Sequence, residues 1–155
     1  MTERIHALAK LLIDGNLKIS VAESCTGGAL ASALTSISGA SGYFDRGYIA
    51  YSNEAKVNML KVDSQTIDTE GAVSEAVAIA MVKGVVSQSD SDVAVAITGI
   101  AGPTGGTKAK PIGTVCFGFC VKNNLSTSTQ SFQGSREEIV NQSVGFVLKH
   151  LIASL

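Results

Sequence analysis

Apolar residues recur at helical spacing at the start of the chain, where Ile5, Leu8 and Leu12 share one face and Gly15 is placed to end a helix. The period then shortens. LKISVA (17–22) is a β-rich run that leads into ESCTGGALASALTSISG, a helix opening at a Ser/Thr/Gly-rich turn. YFDRGYIAYS (43–52) reads as a second strand, followed by a short helix over 53–60 and by SEAVAIAMVKGVV, a helix capped by Ser74. DVAVAIT (92–98) is continuously apolar, as expected of a strand buried on both faces. IGTVCFGFCV (112–121) and LSTSTQSF (125–132) predict a hairpin turning near Asn123 and Asn124, its second arm polar enough for a sheet edge. Ser135 and Glu138 form a capping box for a last helix whose buried stripe is Val140, Val144, Val147, Leu148 and Leu151.

Read in order, the pattern gives α-β-α-β-α-α-β-β-β-α. It predicts an α/β fold: a three-layer α/β/α sandwich around a mixed, mostly parallel sheet of about five strands. A length of 155 residues fits one domain spanning 1–155, with no internal repeat, linker or low-complexity tract. The apolar content is carried by Ala, Val, Ile and Gly, with aromatics at only 5%, which suits closely packed helices and strands.

Charge and composition exclude several function classes. Net charge is −1 without a basic run, so neither nucleic acid nor an anionic membrane surface is an expected partner. No apolar stretch approaches the roughly 20 residues that cross a bilayer, and the N-terminus reads as an amphipathic helix. Cys25, Cys116 and Cys120 are an odd set without metal-ligand spacing, pointing to a reduced, cytoplasmic setting. Zinc is poorly supplied with ligands, and His6 and His150 lie in the terminal helices, away from every Gly-rich turn. A Ser-His-Asp triad is therefore not expected.

Polar residues crowd three segments that follow predicted strands, where ligands of open α/β sheets bind. In ESCTGG, Ser24 or Thr26 caps the helix, or its free N–H groups hold an anion or oxyanion. In SGASGYF, Ser41 sits between glycines in a turn. YSNEAK sets Tyr51, Ser52, Asn53, Glu54 and Lys56 at a strand-to-helix junction; a desolvated Lys56 beside a serine is a base that replaces the missing histidine. TGIAGPTGG follows a buried strand, and its backbone N–H groups can form an anion nest, although it is neither a Walker A loop nor a dinucleotide fingerprint.

Taken together and in this order, VAESCTGG, GYFDRGYIAYSNEAK, GAVSEAVA and AITGIAGPTGGTKAKPIGTVCF resemble the CinA C-terminal domain family over about residues 19–117, with a weaker tail through GSREEI. The resemblance implies a three-layer fold and hydrolysis of the carboxamide of nicotinamide mononucleotide to nicotinic acid mononucleotide and ammonia. No metal or organic cofactor is implied, and the chain looks like a stand-alone form of the domain. The matched polar positions are Ser24, Ser41, Tyr51, Lys56 and Thr98, with Ser41 favoured as nucleophile, Ser24 as its alternative and Lys56 as base. Tyr51 and Thr98 would relay protons or position the amide. Thr26, Gly27, Gly99, Ala101, Gly102, Gly105 and Gly106 would contact the nucleotide, with Lys110 and Arg136 supplying positive charge. After Arg136 the chain reads EEIVNQ, without the second arginine expected near Val140 or Asn141. Cys25 is read as a small buried residue, and Ala/Val-rich helices suggest a homo-oligomer. The competing expectations are a nucleotide-binding regulatory module without turnover, and a purely structural or oligomerising domain.

Overall fold

A computed structural model describes residues 1–155. Five strands form one sheet in the order β2-β1-β3-β4-β5, with β1 at Ile19–Glu23, β2 at Phe44–Ile49, β3 at Val93–Gly99, β4 at Thr114–Val121 and β5 at Asn124–Ser131. β1 pairs parallel with both β2 and β3, while β3–β4 and β4–β5 are antiparallel. The sheet is therefore mixed as expected, but its four pairings divide evenly, because the β4–β5 hairpin adds two antiparallel neighbours. Every residue of β1 is buried, Ser20 and Glu23 included, which explains why its sequence shows no alternation of apolar and exposed polar positions.

Helices cover both faces. α1 (Thr2–Asp14), α2 (Ala29–Leu34) and α6 (Arg136–Ser154) lie on one. Ile5, Leu8, Leu12, Val147, Leu148 and Leu151 there close over Val21, Val95 and Phe117. α3 (Asn53–Leu60), α4 (Ser64–Glu70) and α5 (Glu75–Gln88) cover the other, where Leu60, Ile67, Met81 and Val85 meet Ala22, Ala94 and Ala96. The small strand side chains on this second face let α5 sit close. At Gly118 a Cβ would lie 2.4 Å from the Ala78 carbonyl oxygen, so any larger residue would push α5 off the sheet.

The capping predictions hold. Ser74 Oγ accepts from the Val77 N–H, and Ser135 and Glu138 make a reciprocal capping box. Other details differ. α4 is unannounced by periodicity, since only Ile67 of SQTIDTE is buried. The hairpin turns one residue earlier than expected, on Lys122 and Asn123, whose φ values of 49° and 69° suit a two-residue hairpin turn. In α6 the buried stripe shifts to include Ile139 and Ser143, leaving Val140 half-buried. Ser143 is tolerated because its hydroxyl donates to the Ile139 carbonyl. No helix is long and apolar enough to cross a membrane.

Candidate active site

The chain leaves β1 toward β2 through α2 on one face, and leaves β2 toward β3 through α3 to α5 on the other. Their divergence between β1 and β3 opens a crevice at the carboxyl ends of the strands, where open α/β sheets place their ligands. A cleft of about 250 Å³ occupies this position. Ser24 and Cys25 reach it from the turn after β1, Tyr51, Asn53 and Lys56 from the β2–α3 junction, and Thr98 and Gly99 from the end of β3. Ile100 to Gly102, Thr104 and Gly105 line it from the following loop, and Arg136 from the start of α6.

Lys56 is only 2% exposed, yet it lies one turn into a helix. Ser52 starts that helix by accepting from the Ala55 N–H, and Lys56 follows on its buried face with Leu60. Its Nζ donates to Ser24 Oγ at 3.1 Å and to the Tyr51 carbonyl at 3.3 Å. Ser24 Oγ in turn donates to that carbonyl at 3.2 Å. Burial disfavours the ammonium and holds the Lys56 pKa below the usual lysine value, with the neighbouring Cys25 a smaller, opposing influence. A serine hydroxyl in contact with a desolvated amine is a nucleophile with its base. Cys25 beside it is no rival: burial pushes its thiol up to about 12, so it stays protonated and inert.

The turn that carries Ser24 is fixed from behind by Glu23. This fully buried carboxylate accepts from Thr26 Oγ1 at 2.6 Å and from the N–H groups of Gly28, Leu30 and Ala31. The N-terminus of α2 is thus filled by the protein's own anion. This corrects the expectation that those N–H groups serve a ligand, and it gives Thr26 and Gly27 a structural place outside the cleft. The N–H of Cys25, next after Ser24, donates to no other residue of the chain.

Gly99 is required by close approach. A Cβ there would lie 2.9 Å from Val115 Cγ2 and 3.0 Å from Cys25 Sγ. Thr98 Oγ1 donates to the Ala72 carbonyl at 2.8 Å and joins the loop before α5 to the cleft floor. In the loop after β3, the N–H groups of Ala101, Gly102, Thr104, Gly105 and Gly106 find no acceptor in the chain. Arg136 spans the mouth: one terminal nitrogen donates to the Gly102 carbonyl and the other to the Tyr51 hydroxyl, both at 2.7 Å. The phenol itself is half-exposed. No aspartate or glutamate lines the cleft, whose charged groups are Lys56 and Arg136. No cluster of His, Cys, Asp or Glu side chains is arranged to hold a metal ion.

Set against the sequence reading, Ser24, Tyr51, Lys56, Thr98, Gly99, Ala101, Gly102, Gly105 and Arg136 come together as expected. Ser41 does not. It precedes β2 on an exposed turn at the amino end of the parallel strands, where its carbonyl accepts from Lys18 Nζ. Five residues of β1 separate that end from Ser24, roughly 15 Å at about 3.3 Å per residue. Lys56 cannot reach across that distance, and of the two serines only Ser24 is in contact with it. Gly106 packs against Ile112 outside the lining, and Lys110 Nζ is bound to the Glu70 carbonyl on the surface. Val140 and Asn141 also lie outside the cleft. Asn53, Ala72, Val73, Ile100 and Thr104 line it without having been singled out as ligand contacts. Thr104 and Ile100 lie in the recognised loop, and Ala72 and Val73 in the GAVSEAVA segment that helped to carry the resemblance but was read only as the start of a helix.

A family model described as the CinA C-terminal domain matches residues 2–155. The chain is 48% identical over 153 residues to the nicotinamide-nucleotide amidohydrolase PncC of Enterobacter agglomerans, covering 95% of this chain and 93% of that protein. It is also 48% identical over 138 residues to a CinA-like protein of Chlorobium limicola, covering 86% of this chain but only 32% of that longer protein. The crystal structure of the competence damage-inducible protein A of Klebsiella pneumoniae superposes with a TM-score of 0.95 at 36% identity, covering 98% of this chain and 94% of that one.

Proposed function

The chain belongs to the CinA C-terminal domain family, and from that premise we propose that it hydrolyses the carboxamide of nicotinamide mononucleotide, giving nicotinic acid mononucleotide and ammonia. The observation that carries this reading is the buried Lys56 ammonium in hydrogen-bond contact with Ser24 in a cleft without acidic side chains. The near full-length similarity to a nicotinamide-nucleotide amidohydrolase supports the choice of amide.

In this reading neutral Lys56 takes the Ser24 hydroxyl proton as Oγ attacks the carboxamide carbon. The negative charge that develops on the amide oxygen is met by the N–H of Cys25, which donates to no other residue. The Lys56 ammonium then protonates the amide nitrogen, the C–N bond breaks, and ammonia leaves an acyl ester on Ser24. A water attacks that ester, giving a proton to Lys56, which returns it to Ser24 Oγ as the ester bond breaks. Thr98 positions the amide beside Ser24. Arg136 and the free N–H groups of Thr104 and Gly105 receive the nucleotide phosphate, since a guanidinium with donors to spare suits a phosphate fork. Tyr51 orients that guanidinium.

The test is ammonia release from nicotinamide mononucleotide by the wild-type chain and by Ser24→Ala. Release by wild type, with loss of about 10²-fold or more in the variant, is expected. Nucleotide binding without any release would replace the amidase by a regulatory nucleotide-binding module.

A further inference from the structure

We propose that the cleft binds the carboxylate product more tightly than the carboxamide substrate, so that the protein is inhibited by its own product; this rests on the amidohydrolase reading above. The geometry leaves Lys56 as a buried cation without a counter-anion. The two ion pairs of the molecule, Lys10–Asp14 and Arg46–Asp45, lie elsewhere on the surface. Glu23, one residue before Ser24, has its carboxylate committed to Thr26 and to the start of α2. No acidic residue lines the cleft. A lysine ammonium has three donors, and two of these are engaged by Ser24 Oγ and the Tyr51 carbonyl. The third is available to a ligand.

A carboxamide brings this cation only a dipole. Hydrolysis places a carboxyl group at the same carbon, beside Ser24. With Lys56 protonated, this group stands as a carboxylate against an ammonium in a site of low polarity, where an ion pair and its charge-assisted hydrogen bond are far stronger than in water. The phosphate is common to substrate and product, so Arg136 and the Gly-rich loop do not discriminate between them. The preference resides at Lys56.

The pH dependence follows from the surroundings of this one group. Cys25 faces it from the turn after β1 as a neutral thiol, and Tyr51 and Arg136 face the cleft from the β2–α3 junction and from α6. The charged residues of α4 and α5, which pack against α3, are Asp68, Glu70, Glu75 and Lys83; all are exposed and none lines the cleft. Raising the pH therefore weakens carboxylate binding as Lys56 loses its proton.

The experiment is titration calorimetry of Ser24→Ala protein with nicotinic acid mononucleotide and with nicotinamide mononucleotide, alongside ammonia release by wild type. The carboxylate is expected to bind at least tenfold more tightly at pH 7. That preference should shrink toward pH 10 and disappear in Ser24→Ala combined with Lys56→Met. Equal affinities at pH 7, or a carboxylate preference that survives Lys56→Met, would overturn the inference. Initial-rate inhibition of wild type by the product gives the same answer without any variant: competitive inhibition with Ki at least tenfold below KM supports the proposal, and Ki at or above KM refutes it. Ammonia release without carboxylate preference removes this inference alone, whereas absence of release removes the amidase reading.

Discussion

Replacing Lys56 by methionine should abolish turnover while leaving the protein as stable as wild type or more so. The side chain is 2% exposed, so folding strips its ammonium of water and returns two hydrogen bonds but no ion pair. Methionine keeps most of the aliphatic stem and removes the charge. It also orphans no partner, because the Tyr51 carbonyl still accepts from Ser24 Oγ and that oxygen still has its own donor role. Replacing buried charge by apolar side chains of similar size is neutral or stabilising by about 1–4 kcal/mol, and the two lost hydrogen bonds place this case near 1–2 kcal/mol. For a chain of this length that is a rise in Tm of about 2–8 °C at pH 7. The pH dependence identifies the cause. Lys56 has a folded-state pKa below the ordinary lysine value of 10.5, so the unfolded chain binds the proton more tightly. Wild-type stability therefore rises with pH from the lowered pKa up to about 10.5, and the advantage of the variant shrinks over that window. Thermal unfolding by circular dichroism at pH 7 and pH 9.5, with ammonia release in parallel, makes the measurement. A variant destabilised by more than 1 kcal/mol at pH 7, a stability difference that does not change with pH, or retained turnover would refute the reasoning.

Other substitutions separate the remaining contributions. With neutral Lys56 as base, kcat/KM should rise with pH to a plateau whose midpoint lies below 10.5, and Lys56→Arg should lose about 10²-fold or more at every pH. Ser41→Ala should leave kcat/KM unchanged in the ammonia assay, since its turn lies at the far end of the strands; a tenfold loss would return it to the site. Glu23→Ala should lower stability by about 2–4 kcal/mol in denaturant unfolding, because three backbone donors and the Thr26 hydroxyl lose their acceptor together. Arg136→Ala should raise KM by about tenfold with a smaller effect on kcat, and a dephosphorylated substrate should show no such difference between variant and wild type.

Much of this protein is legible in one dimension. The fully apolar run of β3, the Ser/Glu capping box of α6 and the polar edge strand β5 are local consequences of side-chain period and capping chemistry, and each element forms within a few residues of its predicted bounds. The segments that meet in the cleft are likewise readable, because loops at the carboxyl ends of parallel strands converge whatever their distance in sequence. Sequence alone could not choose between Ser24 and Ser41, since both occupy Ser/Gly turns beside a strand. The parallel pairing of β1 with β2 separates them, by putting the turn after one strand and the turn before the other at opposite ends of the sheet. Nor does the sequence show which anion sits on α2: Glu23 reads as the first residue of the ESCTGG turn, and only the bend of that turn folds the helix start back over its carboxylate. Lys56 is the strongest case. Its neighbours Glu54 and Asn58 are exposed, and nothing local marks it as different. Its burial arises because α3 packs against α5 and turns the side chain in toward Ser24 in the turn after β1, and desolvation is a property of what surrounds a group in three dimensions.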